Sequence, residues 1–143
     1  MDGRVSDPHE RLRILQANAA PMKRAPGLRT VNMLGNVPGG MIKDAELGGA
    51  YLRSVWFMFF GIPFSMVGIF LVSHPLDKKG MVETDKFYFH QKVTFRGVDA
   101  AYGKGAVGRI VRASALQYGG TLLGIAIVLG LLIGAGAYCS QQP

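Results

Sequence analysis

The sequence predicts an all-α membrane protein: two transmembrane helices joined by a basic connector, with an extended N-terminal arm. Three observations carry that prediction. Of 143 residues, 49% are hydrophobic and only 17% charged, whereas a soluble domain averages about 25% charged. The apolar residues are concentrated in two blocks, 54–73 and 119–138, and neither block holds a charge. A bilayer-spanning helix needs about 20 apolar residues at a 1.5 Å rise, which is the length of each block. The chain then divides into an N-terminal helix and arm (1–50), a first transmembrane helix (51–73), a connector (74–117), a second transmembrane helix (118–138) and a short tail (139–143).

The N-terminal region begins with a capping pattern. Asp7-Pro8-His9-Glu10 offers a side-chain acceptor, then Pro at the first helical position, then Glu at the third. Leu12, Leu15 and Ala19 follow on one helical face, and Pro21 ends the run. A helix of about three turns is marginal alone in water, so a docked helix is expected. Asp2, Asp7 and Glu10 argue against a mitochondrial presequence, since transit peptides are poor in acids. Residues 21–40 carry Pro, Gly and three basic residues without a sustained period. Such a stretch lacks a core of its own, and neighbouring chains are expected to hold it. Asp44 and Glu46 suit the first turn of a helix entering the membrane.

The first block, SVWFMFFGIPFSMVGIFLVS, contains eleven Val, Ile, Leu or Phe residues. They favour insertion by about 3–7 kcal/mol before small and polar residues are counted. Tyr51 and Trp56 stand at its leading end as interfacial aromatics, with Arg53 beside them to snorkel. Lys78 and Lys79 close the other end. Gly61, Ser65 and Gly68 recur at helical spacing and form a packing face, with Pro63 as a kink. In the second block, Ala126, Gly130 and Gly134 form such a face, and Gly120 and Gly124 add a further step. Tyr118 and Tyr138 bracket this block at the interfaces. The plain alternative is that Gly is simply frequent in membrane helices.

The connector is basic. Phe87, Phe89, Val93 and Phe95 alternate with Tyr88, His90, Lys92, Thr94 and Arg96, which predicts an edge strand or an extended arm. Residues 107–117 suit an amphipathic helix continuous with the second span. Basic residues flank both spans on the connector side, placing the connector in the cytoplasm or matrix.

Chemistry-bearing motifs are sparse. Residues 103–108, GKGAVG, match the spacing G-x-G-x-x-G. A dinucleotide site needs a βαβ unit and a later acid for the ribose, and no acid follows Asp99. A close-packed loop is the better account. Neither apolar block, 54–73 or 119–138, contains Asp, Glu, Lys, Arg or His, the usual mark of proton or ion paths. His9, His74 and His90 are the only histidines, and His74 is expected at a headgroup or partner. Cys139 excludes a disulfide framework within the chain. No catalytic, cofactor-binding or metal-ligating set is expected, and no nucleic-acid partner, because the basic residues flank the spans and suit anionic lipid.

The two-span architecture with a long tail resembles the small accessory subunits of respiratory complexes or ATP synthases. That resemblance implies a non-catalytic structural or assembly subunit of an energy-converting membrane complex in the mitochondrial inner membrane. Its partners would be other membrane subunits and anionic lipid, with cardiolipin as a structural lipid. The competing readings are a self-associating, membrane-shaping hairpin and a subunit that completes a cofactor or quinone site with partner chains.

Overall fold

The computed structural model describes residues 3–28, 30–31, 34–76, 79 and 86–139. Its centre is an antiparallel six-stranded sheet in the order β1-β6-β5-β4-β3-β2. The strands are β1 (Ala19–Ala20), β2 (Thr30–Val31), β3 (Leu34–Ile42), β4 (Ala50–Phe59), β5 (Ile62–Ser73) and β6 (Tyr88–Val93). Among the described residues three helices join them: α1 (Pro8–Ala17), α2 (Phe95–Tyr102) and α3 (Ala106–Cys139). A 3-10 turn, Ala45–Leu47, links β3 to β4.

The predicted first transmembrane helix is a β-hairpin. Residues 54–73 supply most of β4 and β5, paired from Ala50↔Ser73 to Phe59↔Ile62. Phe60 and Gly61 make the turn, both at positive φ (48° and 80°). That is the primed turn geometry whose twist matches the flanking strands. The block reads as a span because both faces of the hairpin are covered in its lower half, so no polar alternation survives there. Valine, isoleucine and aromatics also favour the pleated state, and Pro63 would remove a hydrogen bond from a helix interior. Here Pro63 lies opposite Met58, next to the turn. The fold is therefore mixed sheet and helix, not an all-α pair of spans, and the connector is not a loop between two membrane crossings.

Several expectations change with it. Gly61 is a turn residue, while Ser65 and Gly68 lie in β5, so no helical packing face passes through them. Tyr51 and Trp56 are strand residues of β4, not the start of a span. Residues 34–40, expected to need neighbouring chains, form most of β3 and are ordered by β4 and α3 of the same chain. Asp44 and Glu46 do not open a membrane helix; Asp44 caps the 3-10 turn.

Other elements form where the sequence places them. Asp7 caps α1, its carboxylate accepting from the His9 N–H at 3.0 Å. The alternating segment forms β6, though between β1 and β5 rather than at an edge, and its end at Phe95 and Arg96 opens α2 instead; α3 begins at Ala106 and runs on without a break. Of the glycines in residues 103–108, Gly103 and Gly105 serve the α2–α3 turn at φ 86° and 83°, and Gly108 lies in the first turn of α3.

Two cores sandwich the sheet. On one face, α1, α2 and the first turns of α3 bury Leu15, Val98, Ala101 and Ile110 against Leu52, Ile69, Leu71 and Val93. On the other face, Tyr51, Val55, Phe70 and Val72 are covered by Met22, Leu28, Phe87 and Phe89. Fully burying such side chains contributes about 1.5–3 kcal/mol each.

Candidate functional site

Two places concentrate the polar and apolar chemistry of the chain: a buried ion cluster under α1, and the junction where α3 leaves the sheet.

The ion cluster is built from distant segments. Arg11 projects from α1 and is only 1% exposed. Its Nη1 donates to the carbonyls of Val5 and Ser6, at 2.6 and 2.7 Å. Its Nη2 donates to Asp44 Oδ1 at 3.2 Å and also to Glu46, while Nε lies 2.9 Å from Asp44 Oδ2. The Tyr102 hydroxyl at the end of α2 donates to the same Oδ2 at 3.0 Å. Arg4 approaches Asp44 Oδ1 at 3.3 Å and lies over the Tyr102 ring. Each buried charge thus meets an opposite charge or a hydrogen-bond partner, as burial demands.

The electrostatics follow from that wiring. Burial opposes the Arg11 charge, but the hydrogen bonds to Glu46 and Asp44 outweigh it and hold its pKa above the ordinary value. Burial likewise works to raise the Asp44 pKa. The bonds from Tyr102 and Arg11 prevail and hold it below the usual carboxylate value. Burial, then the neighbouring Asp44 carboxylate, pushes the Tyr102 phenol well up.

A pH profile follows. The Asp44 contribution is complete above the unfolded carboxylate range near ~4 and is lost as pH falls through the depressed folded value. The Tyr102 contribution is complete below the ordinary phenol value of ~10 and is lost as pH rises toward the raised folded value. Urea midpoints of the full chain in mild detergent should be level between those limits and fall on both sides. Asp44→Asn should flatten the acid limb and Tyr102→Phe the alkaline one. Unchanged limbs in both variants would contradict the assignment.

The junction is a close approach of helix to sheet. Gly39 and Gly40 of β3 lie beneath α3 and the Trp56 indole. A Cβ on Gly40 would come within 2.3 Å of the Ile110 carbonyl oxygen, and one on Gly39 within 2.5 Å of Trp56. In this gap the Gly40 N–H donates to Ser114 Oγ at 2.7 Å. Ser54 Oγ donates to the Gly40 carbonyl at 3.0 Å and lies 3.1 Å from Ser114 Oγ. Trp56 Nε1 donates to both serine oxygens, at 3.1 and 3.0 Å. One turn further along α3, the Tyr118 hydroxyl donates to the Pro38 carbonyl at 2.6 Å. A hollow of about 210 Å³ beside it is lined by Trp56, Pro63, Val111, Ser114, Ala115 and Tyr118.

Beyond Tyr118 the helix leaves the sheet. Every residue from 123 to 133 is exposed, including Leu123, Ile127, Leu131 and Ile133. Among the described residues one helix is long and apolar enough to cross a membrane, by length and composition. It is Ala106–Ile133, with mean hydropathy 2.0 over its 18-residue apolar window, none of which is buried.

The sequence-predicted site residues are scattered. Tyr51 is buried, and its hydroxyl lies 2.7 Å from His74 Nε2. The His74 Nδ1–H donates to the Lys86 carbonyl at 2.8 Å, leaving Nε2 to accept from Tyr51. His74 is thus engaged within its own chain rather than at a headgroup. The Arg53 guanidinium stands 4.8 Å from the Phe87 ring centre instead of snorkelling beside a span. Gly120, Gly124, Ala126 and Gly130 lie on the outer part of α3, with open space around Gly120, Gly124 and Gly130. Lys79 is exposed in a turn. Lys78 lies outside the described residues, and for Gly134 and Tyr138 only the helical backbone is described.

Sequence reasoning missed the ion cluster, because its members are 33 and 35 residues apart in the chain. It also missed the Gly39-Gly40 pair, whose adjacency to Pro38 suggested only irregular chain. Among the described residues no three His, Cys, Asp or Glu side chains gather to hold a metal ion. Compared with known proteins, the chain matches no family model, no curated protein and no solved structure.

Proposed function

We propose that the chain is a single-span, membrane-anchored sheet domain that serves as a non-catalytic structural subunit of a larger membrane assembly. The observation that carries this reading is the outer part of α3. Each exposed Leu or Ile there forfeits about 1.5–3 kcal/mol in water, and lipid or a partner helix restores it. Its open glycine positions suit close approach of such a partner helix. The ion cluster supports a structural role, since its charges are engaged by internal partners rather than aimed into a cleft.

Basic residues set the orientation in this reading. Lys104, Arg109 and Arg112 precede the apolar part of α3, and no basic residue follows it. The positive-inside tendency therefore puts the sheet on the cytoplasmic or matrix side. A net charge of +7 suits an anionic membrane, and the mitochondrial inner membrane, with an energy-converting complex, is the assembly to test first.

The test has two arms. Alkaline carbonate should leave the chain in the membrane pellet, and its release would overturn the anchor. In mild detergent the chain should co-migrate on native gels with a complex far larger than itself. Migration as a monomer or as a simple ladder of homo-oligomers would overturn the subunit role and favour self-association.

A further inference from the structure

We propose that the tip of the β4–β5 hairpin is a second membrane contact, an aromatic wedge that enters the headgroup–acyl boundary of an anionic bilayer beside α3. This rests on the reading of α3 as a membrane anchor.

The tip is apolar and uncovered. Phe64 is 75% exposed and Phe60 60%, and Phe57, Phe59 and Ile62 are exposed as well. The Phe59 ring packs edge-on against Phe60 at 4.7 Å, so the rings form one cluster rather than scattered side chains. An exposed apolar cluster of this kind marks an interaction surface.

The turn keeps this cluster at a conformational cost. Phe60 is the only non-glycine at positive φ among the described residues. Asn, Asp or Gly suits that position in a primed turn, and a bulky side chain there is strained. Strain retained at an exposed aromatic points to a use for the side chain.

The tip also lies at the right level. Pro63, opposite Met58, lines the same hollow as Tyr118, the last α3 residue bonded to the sheet, six residues past Arg112, the last charge of the helix. Phe60 stands two residues beyond Met58, or about 7 Å at strand rise. Interfacial segments bury their apolar side by about 5–10 Å. The tip thus reaches the depth at which the outer part of α3 enters hydrocarbon.

Charge completes the fit. On the sheet face opposite the helices, Lys23, Arg24 and Lys92 line a hollow of about 280 Å³ with Asn36 and Val67, and among the described residues no carboxylate lines it. Asn36 pairs with Phe57, three residues or about 10 Å short of the tip. A basic collar above an aromatic wedge matches the order of an anionic surface, phosphate outside and acyl chain within.

The experiment uses the full chain in vesicles of phosphatidylcholine with one-third phosphatidylglycerol. Phe60→Trp and Phe64→Trp are compared with Leu76→Trp, an exposed site past the far end of β5, after subtraction of the Trp56 signal. Lipids brominated near the top of the acyl chain should quench the tip tryptophans at least twofold more than the control. Lys23→Glu with Arg24→Glu should cut that quenching at least twofold in these vesicles. Equal quenching at tip and control, with aqueous acrylamide reaching both alike, would overturn the proposal. So would protection of the tip from both quenchers, the sign of a protein covering it. Quenching indifferent to the two charge reversals would overturn the collar. Carbonate release of the unmodified chain would instead bring down the anchor, and a retained chain with a wet tip sinks this proposal alone.

Discussion

Arg11→Met is expected to cost the folded sheet domain about 3–5 kcal/mol, the usual loss when one partner of a buried ion pair is removed. Methionine is similar in length and cannot donate, so Asp44, itself buried, loses its buried counter-charge and keeps the Tyr102 hydroxyl, the Glu46 N–H and the half-exposed Arg4. The carbonyls of Val5 and Ser6 lose their donors at the same time. Against a typical stability of about 5–15 kcal/mol, this loss removes a large share of the whole. The measurement is a urea midpoint followed by circular dichroism on the full chain in detergent. Asp44→Leu combined with Arg11→Met should recover part of the loss, because the stranded carboxylate is gone. A loss under about 1 kcal/mol for Arg11→Met would mean that Arg4 takes over the site and that the buried pair is not the lock between α1 and the 3-10 turn.

Gly40→Val should unseat α3. The atoms that a side chain would meet are the Ile110 carbonyl, the Ala113 Cβ and the Ser114 amide, at 2.3, 2.8 and 2.9 Å. All are fixed parts of the helix, so the helix must move rather than a side chain rotate. Overpacking of this kind costs about 1–3 kcal/mol, and the displaced helix also breaks the bonds of Ser114 to Gly40 and Trp56. Trp56 is the only tryptophan, which makes its emission a direct reporter of the gap. A red shift is expected for Gly40→Val. Gly27→Ala, where nothing lies within 4 Å, should leave the emission unchanged. An unshifted Trp56 in Gly40→Val would show that α3 does not depend on this seat.

How much of this was legible before folding depends on whether the signal was local. The cap of α1 is written in four adjacent residues, and β6 in one short alternation. The apolar length of α3 is legible for the same reason, since periodicity and charge are read along a single segment. The hairpin was not. Twenty uncharged residues satisfy both a membrane helix and two strands whose faces are covered, and only Gly61 and Pro63 hint at the second. The covering elements, α1 and α2 on one face and Met22 and Leu28 on the other, come from elsewhere in the chain. For the same reason the sequence around Arg11 assigns it no role. Its meaning depends on Asp44, Glu46 and Tyr102, which only the tertiary fold brings to it. Ser114 was likewise invisible as a site residue, because it lies on α3 and its partners Gly40 and Trp56 lie on β3 and β4.

The unbroken course of α3 has a mechanical consequence. Its first part, up to Tyr118, is clamped to β3 by Ser114 and Tyr118, and no proline interrupts it before Cys139. Torsion applied to the outer segment therefore travels along an intact ladder of helical hydrogen bonds to the glycine pair of β3. Bending is treated differently. Gly119 and Gly120 come directly after the last clamped residue and have open space around them. Glycine pairs are where helices yield. The molecule thus carries a shaft that transmits rotation and a compliant joint, placed at the rim of the sheet, that absorbs tilt.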